Sequence, residues 1–295
     1  MPPPDEAPLE PRPTEPAFPL TRDDFTLSDL LSRASEAWSR DLGPWVLAML
    51  LYWVVGLGIP MVLGGMWGFF GALQGAEGDP STTFELLDWF VEGVVQIFQL
   101  VLSAIFTLGM WAMALRGLHG EQVRVGVLFS QMAKIWKYIA QAIVVGLGFV
   151  LIVAPILLIV FLAFIGPVDR STPMQEIMES AGQPLGIAFL LLTPLYIYII
   201  AGIAFIQTEL AYNDDAGPVD AIIHSWRIAR GKRWRIIGVG MVAMFIWVGS
   251  AMLCGIGLLF GGPFVVLLVA SLYLALREGA DVPPANTSTT LGRNY

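Results

Sequence analysis

Five long stretches of the chain contain no Asp, Glu, Lys or Arg: 43–76, 93–115, 138–168, 180–208 and 236–276. A helix that crosses about 30 Å of hydrocarbon at about 1.5 Å per residue needs about 20 predominantly apolar residues, so each of the first four stretches predicts one span. The fifth is long enough for two. Cys254-Gly255-Ile256-Gly257 and Gly261-Gly262-Pro263 lie inside it, and glycine with proline marks where a helical hairpin can turn. The pattern predicts an all-α, polytopic helical membrane protein with six transmembrane helices, near 45–69, 91–115, 138–165, 184–208, 236–254 and 258–276.

An amphipathic stretch precedes each odd-numbered span. Thr26 and Asp29 form the sequence pattern of a capping box, and Leu27, Leu30, Leu31, Ala34 and Trp38 then recur at helical spacing. In the second stretch Leu128, Met132, Ile135 and Ile139 fall on one face, with Lys134 and Lys137 expected to reach for water or headgroups. In the third, Gly217-Pro218 opens a helix with Val219, Ile222, Ile223 and Trp226 on one side. Trp45, Trp136 and Trp234 stand at the entrances to spans one, three and five, which suggests three repeats of a surface helix followed by a transmembrane hairpin.

Composition agrees with this pattern and narrows the chemistry. The 295 residues are 56% hydrophobic and 14% charged, with a mean hydropathy of +0.70, too little polar surface for a soluble domain. The first twenty residues hold eight prolines and no apolar core, so 1–22 is expected to be a disordered acidic tail, 23–277 the six-span domain and 278–295 a disordered C-terminal tail. That start lacks the basic segment and apolar run of a secretory signal. One cysteine, Cys254, excludes a disulfide framework. His119 and His224 lie outside the apolar stretches and read as interfacial polar residues, so no haem or metal ligand set is expected.

The basic residues orient the bundle. Four of the 16 Lys and Arg precede span one, and four more (Arg116, Arg124, Lys134, Lys137) lie between spans two and three. Five (Arg227, Arg230, Lys232, Arg233, Arg235) sit between spans four and five, two follow span six, and Arg170 alone falls in the other loops. Basic residues are retained on the cytoplasmic side during insertion, which places both termini in the cytoplasm of a bacterial inner membrane.

The stretch from Asp220 to Gly238, with Ser225-Trp226, Arg230-Gly231 and the basic-aromatic Lys232-Arg233-Trp234-Arg235, resembles a segment of poorly characterised bacterial integral membrane proteins. These include the membrane domain attached to some glycerophosphodiester phosphodiesterases, whose last span Leu272-Tyr273-Leu274-Ala275-Leu276-Arg277 is also similar to. The resemblance implies a membrane fold and no catalysis, since no segment here could form that enzyme's soluble barrel.

Two constellations are candidates for function. Glu92, Gln96, Gln99, Ser103 and Thr107 share one face of span two, expected to point into the bundle either as a polar pathway or as interhelical hydrogen bonds. Arg227, Arg230, Lys232, Arg233 and Arg235, beside Trp226 and Trp234, are expected to hold anionic phospholipid headgroups. No catalytic, cofactor or metal site is expected. With a pI near 4.7, nucleic acid is excluded as a partner; a partner protein or a homo-oligomer is compatible. The expected function is a non-enzymatic integral membrane protein organising lipid or partner proteins, with a transporter or channel for a small neutral or lipidic solute as the alternative.

Overall fold

The computed structural model describes residues 18–59, 61–62, 64–66, 68–69, 82–164, 174–253 and 255–291. No strand occurs among them, and the chain is an all-α helical protein. Five helical segments are long and apolar enough to cross a membrane: Trp89–Leu118, Val125–Ile156, Phe189–Tyr212, Arg233–Met252 and Ile256–Arg277. A shorter apolar helix, Leu42–Gly56, starts the first expected span.

The helices in order are α1 (Leu27–Arg40), α2 (Leu42–Leu51), α3 (Thr82–Leu118), α4 (Ile135–Phe164), α5 (Met174–Ile203), α6 (Ile206–Tyr212), α7 (Pro218–Ala229), α8 (Arg233–Met252), α9 (Ile256–Arg277) and α10 (Ser288–Leu291). A π-helical stretch, Tyr52–Gly58, continues α2. The 236–276 stretch is two helices, as its length suggested. The turn between them places Gly255 at φ +78°, a left-handed conformation that glycine adopts without strain. Gly257 and Gly261 let α9 close on α8, because a side chain at either would overlap Ser250.

Helix α9 is the centre of the bundle. It packs against α8, α1, α3 and α2, and from Leu267 to Leu276 nearly every residue is buried. That enclosure matches its apolar character all round the helix. The core gathers at one end, where Trp45, Phe106, Leu115, Leu128, Phe205, Leu210 and Tyr273 are buried. Both described termini and the loops 119–134 and 213–217 lie at this end, called here the basic end. Away from it Phe98, Leu151, Leu190, Phe245 and Met252 are exposed, an apolar belt suited to lipid tails.

Three expectations change. Helix α1 has the capping box foreseen at Thr26 and Asp29, but Leu30, Ala34 and Ala37 are buried, and Trp38 Nε1 donates to the Phe260 carbonyl of α9 (3.1 Å). Its apolar face packs on protein. The second amphipathic stretch forms short 3-10 turns, Val125–Phe129 and Met132–Lys134, so the three-copy repeat does not extend to it as a surface α-helix. These turns lie close against α3: a side chain at Gly109 would overlap the Leu128 backbone.

The third change concerns the tails. Residues 1–17 lie outside the described residues, but Phe18 is buried and Arg22 is anchored. The segment expected to be disordered from 278 onward is docked as far as Leu291. Asp214 N donates to the Asn286 carbonyl (2.7 Å), Ser288 Oγ to Asp214 Oδ2 (2.8 Å), and Arg116 to the Thr290 carbonyl. Thr290 Oγ1 completes the Ala211 carbonyl that the end of α6 leaves open, which composition alone does not reveal.

Candidate functional site

The basic corner between α7 and α8 is built by three local devices. Gly217 and Pro218 start α7 with Asp220 Oδ2 accepting from Gly217 N (3.1 Å), and Arg230 ends it. Gly231, at φ +77°, turns the chain into α8. Arg22 then ties the corner down: Nη1 donates to the carbonyls of Ile228 (2.9 Å) and Leu276 (3.0 Å), and Nη2 to that of Arg230. One guanidinium thus satisfies the open carbonyls at the ends of both α7 and α9. Beside it Lys232 Nζ pairs with Asp23 Oδ1 at 2.8 Å.

The five clustered cations separate in space. Lys232 is occupied by Asp23, which that hydrogen bond holds below the ordinary carboxylate range, and Arg235 lies over the Phe25 ring at 5.0 Å. Arg227, Arg230 and Arg233 line one groove of about 670 Å³, with Tyr198, Ile222, Ile223, Trp226, Gly231 and Trp234. Among the described residues no carboxylate lines it.

Arg233 is the unusual member. Its guanidinium carbon sits 3.7 Å from the centre of the Tyr198 ring and 4.1 Å from that of Trp226. The residue is 9% exposed, and Nε and Nη1 are buried with no acceptor among the described residues. Trp226 reaches this place because α5 carries Gly202, where a Cβ would lie 2.5 Å from the indole. Effective burial of an ion costs several kcal/mol, and each ring face returns about 2 kcal/mol or more when desolvated, so the two rings offset much of that cost. Trp234 is 85% exposed and Val219 and Ile223 are also exposed, so an apolar rim borders the groove.

The polar stripe of span two does not point inward along its length. Glu92, Gln96 and Gln99 are exposed and only Ser103 and Thr107 are half-buried, because α3 enters the core only from Ala104 onward.

A second polar constellation, which the sequence reading missed, lies under the core. Glu209 is fully buried at the start of α6. Arg277 donates to it twice (Nε to Oε2 at 3.0 Å, Nη2 to Oε1 at 3.2 Å), His224 Nδ1 at 3.0 Å, Asn213 Nδ2 at 3.3 Å, and the Tyr273 hydroxyl completes the set. His224 is thus a buried partner of a carboxylate, not an interfacial residue. The break between α5 and α6 is filled by Ser225, whose Oγ accepts from Phe205 N (3.1 Å) and donates to the Gly202 carbonyl (3.0 Å).

Lys134 is likewise buried where exposure was expected. It donates to the carbonyls of Leu210 (3.0 Å) and Ala211 (2.9 Å) at the end of α6, and pairs with Asp214 at 2.7 Å. Lys137 donates to the carbonyls of Asp214 (2.7 Å) and Ala216 (3.0 Å). These groups satisfy one another and cap a helix, so they hold the basic end together. The open chemistry lies in the Arg233 groove. A signal for the buried centre was present only as single charges, Glu209 and Arg277, at the ends of charge-free stretches.

Fold and site together define a polytopic, all-α protein of membrane type with a basic, aromatic-walled groove at one end of the bundle. The chain belongs to the family described as a domain of unknown function, DUF7847, which matches residues 69–289. The groove lies inside the matched region, whereas α1, Arg22 and Asp23 precede it. No curated protein and no solved structure matches the chain.

Proposed function

We propose that this chain is a non-enzymatic integral membrane protein of the bacterial inner membrane, with both termini in the cytoplasm. It holds anionic phospholipid headgroups in the groove at the start of α8 and so organises lipid, or a partner protein, at the cytoplasmic leaflet. The observation that carries this reading is Arg233: a cation nine-tenths buried between two aromatic rings, without an acceptor for Nε or Nη1 among the described residues. A phosphate oxygen supplies the missing acceptor in a charge-assisted bond. Arg227 and Arg230 add attraction to an anionic leaflet of about 1 kcal/mol each, and Trp226 and Trp234 suit the headgroup level. The transporter alternative has less support, because Gln96 and Gln99 face outward.

The test is native mass spectrometry of the full chain purified in mild detergent. Wild type should retain anionic phospholipid, and the R227Q/R230Q/R233Q variant should lose most of it while keeping the same topology. Equal anionic lipid on both would overturn the reading and leave the cluster as a topology signal.

A further inference from the structure

Resting on that reading, we infer that the groove recognises a lipid with two linked phosphates, of the kind in which a glycerol bridges two phosphodiesters, in preference to one with a single phosphate.

The groove has two places for an anion, of different character. The first is dry: Arg233 between Tyr198 and Trp226, with unmet donors. The second is wet: Arg227 and Arg230 are exposed on the last turn of α7 and the corner. The first backbone amides of α8, a 20-residue helix whose positive end lies at Arg233 and Trp234, add to the field between them. Three cations and no carboxylate line the groove. One singly charged phosphate would leave two guanidiniums without a counter-charge; two phosphates leave one.

Size points the same way. A groove of about 670 Å³ is of the order that holds a drug-sized ligand, well beyond a lone phosphate. Ile222, Ile223 and Trp234 provide apolar wall next to the charges, which suits the acyl ends of a lipid and offers nothing to a free diphosphate. Once one phosphate is seated at Arg233, the second meets the Arg227–Arg230 place as an intramolecular event at high effective concentration.

The experiment mixes the full chain with detergent-solubilised diphosphatidylglycerol or phosphatidylglycerol at equal phosphate and reads retained lipid by native mass spectrometry. We expect diphosphatidylglycerol to be retained at least about tenfold more strongly, as expected for a linked second contact. The R227Q/R230Q variant should lose that preference while still retaining a single-phosphate lipid at Arg233; its thermal unfolding is followed in parallel to confirm that it is folded. Equal retention per phosphate by wild type would overturn the two-phosphate inference and leave the lipid-binding proposal standing. Retention of neither lipid would overturn both. Displacement of the lipid by inorganic pyrophosphate at comparable concentration would overturn the assignment to a lipid.

Discussion

Replacing Glu209 with glutamine should destabilise the bundle more than any other single polar change at the basic end. The carboxylate is completely buried and takes hydrogen bonds from Arg277, His224, Asn213 and Tyr273. Glutamine keeps the shape but has no charge, and its amide nitrogen would face groups that are themselves donors. Arg277, whose side chain is only 12% exposed, would then be a buried cation with no carboxylate, a situation that costs about 3–5 kcal/mol. Tyr273→Phe, which removes one donor and leaves the ion pair, should cost about 1.5–3 kcal/mol. Removing both charges with E209Q/R277M should cost less than the sum of the two single changes by at least about 1 kcal/mol, because each single change strands the other's partner. Reversible unfolding in mixed micelles, followed by tryptophan fluorescence, measures all four free energies. Additivity within about 0.5 kcal/mol would refute the claim that these residues act as one electrostatic unit.

Three further outcomes follow from the same geometry. G202A should push the Trp226 ring off α5, since the new Cβ would lie 2.5 Å from it, and lipid retention should fall severalfold with topology unchanged; unaltered retention would show that the cage does not hold the lipid. Asp29 and Asp23 are both held below the ordinary carboxylate range, Asp29 by the Thr26 hydroxyl and amide and Asp23 by Lys232. Stability from such groups is present above the unfolded value, about 3.9, and is lost as pH falls through the lower folded value. Hydrogen exchange of residues 22–33, corrected for intrinsic rate, should therefore rise below pH 4, and D29N should show the same loosening of the α1 start at pH 7. Reporter fusions after Gly78 and after Tyr295 should give external and cytoplasmic signals respectively; an external signal at Tyr295 would contradict the proposed orientation.

Hydropathy is read one residue at a time, so much of the helical architecture was legible: four of the five charge-free stretches became long helices, and Gly255 became the turn between α8 and α9. The density of cations at 227–235 was legible for the same reason. Their division of labour was not, because it is set by Tyr198, Asp23 and Phe25, each distant along the chain. Glu209 was beyond reach in a stronger sense. Its partners come from α7, α9 and the loop after α6, and nothing periodic links 209 to 224, 273 and 277. Lys134 was misread because its position next to Trp136 looks like an interfacial anchor, whereas the end of α6 presents open carbonyls directly above it. The docked 278–291 segment looks like a polar tail by composition; only the groups it completes, on Ala211, Asp214 and Arg116, show why it folds back.

The most direct test is an experimental structure of the full chain in nanodiscs containing anionic phospholipid. The expected result is a phosphate between Tyr198, Trp226 and the start of α8, with an oxygen about 2.7–2.9 Å from a nitrogen of Arg233. An Arg233 side chain paired with a protein carboxylate, or swung out of the aromatic cage with no phosphate in the groove, would contradict it.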